Sequence, residues 1–129
     1  MIVFDEFINT TRKYFDFLEH DHGYVFQNSD TVPFIHYIDY RKENTIVRIS
    51  LGYRHDYLEV YIFFKVNKFQ PNTQDLKHSE SLLDLIYKKK GRSFNHETDY
   101  DLYMPSKIGL INSLDKVADL FKVYASKVL

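Results

Sequence analysis

Residues 34–51 read FIHYIDYRKENTIVRISL, and their alternation sets the architecture. Ile, Val, Tyr and Phe dominate the run, the composition of a pleated, half-buried strand pair. If Glu43-Asn44 forms a two-residue turn, Arg41 faces Ile46, Tyr40 faces Val47, Ile38 faces Ile49 and His36 faces Leu51. A second turn at His55-Asp56 sets Leu51 against Val60, Ile49 against Ile62 and Val47 against Phe64. Both registers gather Ile38, Tyr40, Val47, Ile49, Leu51, Val60, Ile62 and Phe64 on one face. They also set Asp39 opposite Arg48 on the other, a favourable cross-strand pair. A one-residue slip would scatter both sets. The expectation is a four-stranded antiparallel meander, with strands near 24–28, 34–41, 46–54 and 57–66.

Helical periodicity flanks the meander. Phe4, Phe7, Ile8, Tyr14, Phe15 and Leu18 recur at three- and four-residue spacing and predict a helix over 4–21. Acids open it, His20 and His22 stand near its end, and Gly23 is a natural residue to stop it. A shorter helix is predicted over 79–90, with Leu82, Leu83 and Ile86 as its apolar stripe. After a loop at 92–104, a last helix runs from Ser106 as N-cap to Val128, with Gly109 a flaw near its start. The order α-β-β-β-β-α-α predicts an α+β fold: a two-layer sandwich, one domain over residues 1–129, helices on one sheet face. The opposite face, carrying Ile35, Tyr37, Asp39, Arg48, Ser50, Tyr57, Tyr61 and Phe63, is then left open to solvent or a partner.

The composition narrows the function classes. The 129 residues are 44% hydrophobic and 27% charged, an ordinary globular balance, but 11 Tyr and 11 Phe are more rings than a small core needs. A net charge of −1 disfavours a dedicated nucleic-acid binder. With no cysteine there is no disulfide, thiolate metal site or cysteine nucleophile, in keeping with a reducing, cytoplasmic setting. The start, Met1 to Glu6, lacks the basic and apolar regions of a signal peptide, and the longest apolar run, Val60–Phe64, is too short to span a bilayer.

Catalytic motifs are missing. No serine lies in a Gly-x-Ser-x-Gly elbow, and four glycines make no phosphate-binding loop, so no cofactor is expected. His20-Asp21-His22 is the most ligand-like triplet, and it raises the alternative of a small metal-assisted hydrolase or nuclease. Residues two apart on a helix point about 200° apart, however, so both imidazoles reach one ion only if the helix frays. Lys88 to Arg92 is a basic run that could meet phosphate, but lysines ending a helix also serve its dipole. His36 falls on the core face; His55, His78 and His96 fall in turns or loops.

Two surfaces suit a protein partner. In the segment 97–103, Glu97, Asp99 and Asp101 alternate with Tyr100 and Tyr103, offering carboxylates and ring anchors to a basic partner. The second is the outer sheet face with Tyr37, Tyr61 and Phe63. The helix ending in Asp21-His22-Gly23-Tyr24, the Tyr-rich Val60-Tyr61-Ile62-Phe63-Phe64 and the closing Leu120-Phe121-Lys122-Val123-Tyr124-Ala125 give a layout that resembles small bacterial immunity proteins of contact-dependent or polymorphic toxin systems. That resemblance implies a non-enzymatic protein-binding domain, with a basic toxin domain as partner and no shared catalytic residues. Self-association is a further alternative.

Overall fold

The structure, a computed structural model, describes residues 2–52, 56–64, 79–90 and 100–129. Its elements are α1 (Phe4–Tyr14), α2 (Phe17–His22), β1 (Val25–Val32), β2 (Ile35–Lys42), β3 (Thr45–Gly52), β4 (Tyr57–Phe63), β5 (Ser79–Ser81), α3 (Leu82–Lys90), a 3-10 turn (Tyr100–Tyr103), α4 (Pro105–Ile108) and α5 (Leu110–Ala125). All five strands pair in sequence order and antiparallel, so the α+β meander stands with one more strand than expected. Ser79–Ser81, expected to start a helix, extends the sheet as β5 before α3 begins.

The first hairpin register is the one the alternation requires, with Arg41 opposite Ile46, Asp39 opposite Arg48 and His36 opposite Leu51. The second differs by two residues: Leu51 faces Leu58, Ile49 faces Val60 and Val47 faces Ile62. A two-residue slip returns each side chain to the same face, so the apolar pattern cannot tell the two registers apart. The expected helix-facing side chains from Ile38 to Ile62 are accordingly buried, joined by Leu58, while Phe64 lies past the end of β4, half-buried. At the first edge, β1 runs four residues beyond its expected end, to Val32. A register shift between Phe26 and Asn28 accommodates it. Pro33 then turns the chain, with Phe34 at φ 69°.

The helix expected over 4–21 breaks at Phe15-Asp16. On one straight helix Phe15 and Phe17 would point apart; the break lets both bury, with ring centroids 5.6 Å apart. Gly23 ends α2 with φ 75°, a left-handed conformation that glycine adopts without penalty. The last helix is likewise two pieces. Gly109, at φ 89°, separates α4 from α5, and Pro105 rather than Ser106 opens the first piece. This break leaves Ile111 exposed, although its spacing belongs to the expected stripe, while Leu114, Val117, Ala118, Phe121 and Ala125 face the core.

One continuous core joins Phe7, Phe15 and Leu18 from the first helices, the inner sheet face and the buried stripe of α5. His36 is buried near it. Its ring packs near Phe4 and Phe7, it shares a 2.8 Å hydrogen bond with Thr31 Oγ1, and burial lowers its pKa. Tyr40 is fully enclosed, and burial, with a smaller push from the Glu19 carboxylate, raises its hydroxyl to about 12. A phenol held protonated by folding stabilises the native state fully below pH ~10, the unfolded value, and that contribution is lost as pH rises towards 12. An ultraviolet titration of tyrosinate should therefore show a late step coinciding with alkaline unfolding, and Tyr40→Phe should remove one tyrosine from that step. Early ionisation of every tyrosine would contradict the burial of Tyr40.

Candidate protein-binding site

The outer sheet face is not the open surface that alternation alone suggests. Asp39 is fully buried and Arg48 is 4% exposed. Arg48 Nε donates to Asp39 Oδ1 at 2.7 Å and its Nη2 to Oδ2 at 2.9 Å, a two-pronged pair fixed by the strand register. The guanidinium lies 4.3 Å from the Tyr37 ring centroid and 5.5 Å from that of Phe63. Ring, guanidinium and ring thus form a layer over Asp39, and Tyr37 and Phe63 are buried within it. Both were expected as contact residues; here both are buried, beside the guanidinium of the ion pair. Burial pushes the Asp39 carboxyl above its ordinary value, against the opposing pull of Arg48.

Tyr61, the third expected residue of that face, stands where the layer ends. It borders a cavity of about 410 Å³ between β4, β5, the start of α3 and the 3-10 turn. Period-two alternation puts Tyr57, Glu59 and Tyr61 on one side of β4, and all three line this space. The Tyr61 hydroxyl donates a hydrogen bond to the Glu59 carboxylate. Burial, Glu59 and the charge of Asp84 together raise the Tyr61 pKa, so its hydroxyl stays a donor. From the far side Tyr103 enters. It is buried, with its ring stacked on that of Tyr57 at 6.1 Å between centroids.

The start of α3 supplies the rest. Ser81 Oγ accepts from the Asp84 backbone N–H, and Asp84 Oδ2 accepts from that of Ser81, both at 3.1 Å. This reciprocal cap comes from the Ser-x-x-Asp spacing and holds Asp84 at the cavity wall. It also provides the helix N-terminus with its own carboxylate, so the site does not call for an anion. No Lys, Arg or His is among the described residues of the lining. The arrangement is a ring-walled, negatively charged recess, suited to a cationic side chain.

The other expected site residues are spread out. Asp101 is exposed on the turn that carries Tyr103, and Tyr100 begins that turn; Glu97 and Asp99 lie outside the described residues. In α2, His20 and Asp21 are exposed and His22 packs edge-on against Phe17, 6.2 Å between centroids. Among the described residues no group of three His, Asp or Glu comes together to hold a metal ion. Lys88 pairs with Glu80 at 3.0 Å and Lys89 is exposed, while Gly91 and Arg92, like His55, His78 and His96, fall outside the described residues. No helix among the described residues is long and apolar enough to cross a membrane. Glu59 and Asp84 were missed as site residues, although the Tyr57-x-Glu59-x-Tyr61 alternation and the capping spacing were both there to read.

No protein-family model, curated protein or solved structure matches the chain.

Proposed function

We propose that the protein is a non-enzymatic, cytoplasmic binding domain of the immunity type, which neutralises a basic toxin domain by forming a stoichiometric complex. The supporting observation is the cavity walled by Tyr57, Tyr61 and Tyr103 and charged by Glu59 and Asp84, with no basic residue in its described lining. Buried rings beside carboxylates are the residues that anchor a protein interface and select a cationic partner. Asp101, exposed beside Tyr103, extends the same negative charge outward.

The test is co-expression with the C-terminal domain of the protein encoded immediately upstream of this chain's gene. A one-to-one complex that weakens as salt rises is the expected result. Glu59→Lys and Tyr61→Ala should each weaken it by about 30-fold, the effect of losing about 2 kcal/mol at an interface anchor. Asp101→Lys, at the rim, should mainly slow association. Two proteins that elute separately, or a complex indifferent to all three substitutions, would overturn the reading.

A further inference from the structure

Pro33 and Phe34 link β1 to β2, with Val32 paired to Ile35 behind them. Proline in the second position and a positive φ in the third is the pattern of a type II turn, whose third position ordinarily takes glycine or asparagine. Phe34 occupies it at φ 69°. That conformation is strained for a bulky side chain, and strain of this kind gathers at sites that clamp a ligand. The other non-glycine residues with positive φ among the described ones, Glu43 and Asp56, carry polar side chains. Full burial of the ring does not offset the strain: Phe34 is 50% exposed, and Val32 beside it 40%. Exposed Val3 stands close by, since the Phe4 ring after it lies 5.6 Å from that of His36, two residues beyond Phe34. A lone exposed apolar residue needs no explanation, but a strained one in exposed apolar company does.

We propose that the tip of the β1–β2 hairpin is a second anchor for the protein partner, with the Phe34 ring seated in an apolar pocket of that partner. This rests on the binding role proposed above and enlarges its footprint. A cavity of about 410 Å³ holds a side chain or two. A stable complex takes about 800 Å² from each partner, so contacts must extend well past the cavity. The strand pairing places the tip within that reach. Val32 pairs with Ile35, Ile35 with Gly52 and Gly52 with Tyr57, a row that crosses the sheet from the tip to the cavity wall. Three strand spacings of ~4.8 Å make the row about 14 Å long, so one partner spans both ends. Asp30, exposed on the same hairpin, repeats the negative charge of the cavity, so the pocket that takes the ring is rimmed by basic side chains. The turn also sets the ring in place beforehand, because the φ of Pro33 is locked and little ordering is left to the moment of binding.

The test compares Phe34→Asn with the native protein in two measurements. Asparagine tolerates a positive φ better than phenylalanine and lacks the extra freedom that glycine brings to the unfolded chain. The free variant should therefore unfold at the native denaturant midpoint or a higher one. The second measurement is the affinity for the C-terminal domain of the protein encoded immediately upstream. There the same variant should bind about 30-fold more weakly, mainly through faster dissociation, as expected for loss of an interface anchor. A lower midpoint of the free variant would show that the ring serves the fold, and native affinity would show that the partner passes it by. Either result overturns the proposal. Native affinity of the variant leaves the binding role standing, because the complex has formed; a native chain that forms no complex overturns that role and this anchor together.

Discussion

Arg48→Met should destabilise the protein by about 3–5 kcal/mol, a large part of the ~5–15 kcal/mol that holds a domain folded. The substitution keeps much of the apolar stem but leaves the fully buried Asp39 without its two charge-assisted hydrogen bonds. The cost is that of an uncompensated charge in a place water does not reach. A denaturant titration at pH 7 measures it as a fall in midpoint at unchanged slope. The sign of its pH dependence also follows. Burial already raises the Asp39 pKa, and without Arg48 nothing opposes that push. In acid the variant can protonate Asp39 and relieve the buried charge, while the native protein loses the attraction that its ion pair provides. The stability gap between variant and native protein should therefore shrink as pH falls through the carboxylate range. Asp39→Leu combined with Arg48→Met should recover much of the loss, because replacing both partners leaves no orphaned charge. A single variant as stable as the native protein would show that the pair is not closed off from water.

Phe121→Ala should cost a similar ~3–5 kcal/mol for a different reason. Phe121 is fully buried on α5, with its ring centroid 5.9 Å from Phe15 and 6.3 Å from Phe17. Those two rings flank the break between α1 and α2, so Phe121 fills the space that the break creates. Alanine would leave a cavity bounded by two helices of the N-terminal segment and one of the C-terminal segment, elements that cannot easily collapse towards one another. Phe121→Leu should recover most of the loss. The measurement is thermal or denaturant unfolding of the two variants side by side, and equal stability of the alanine variant would mean that the ring cluster does not hold these helices. The two effects should add, since Arg48 lies on the outer face of the sheet and Phe121 in the helix layer on the inner one.

Much of this arrangement was legible in advance, in particular places. The Ile38, Tyr40, Val47 and Ile49 alternation marked the inner face, and Asp39 opposite Arg48 came from the same register. The site was legible only in pieces. Tyr61 and Tyr103 were both expected to bind, but as parts of two separate surfaces; they border one cavity because β4 and the 3-10 turn meet there. Tyr37 and Phe63 show the converse. Their outward position was correctly read, but both rings are buried beside the Arg48 guanidinium, and alternation carries no information about what lies above a face.

What this sequence determined by itself is therefore whatever repeats along the chain with a short period. That covers the α+β class, the antiparallel order, the inner face of the sheet and the stripe of α5, because burial is written into spacings of two and of three to four residues. The tertiary structure alone decided three things. It chose the second hairpin register between alternatives two residues apart, which present the same faces. It broke the first helix at Phe15-Asp16, where Phe15 and Phe17 both pack against Phe121 of α5. It also ended β5 at Ser81, with a recess beside β4 that no local pattern announces. Each of these depends on contacts between residues far apart in the chain, and such contacts leave no period to read.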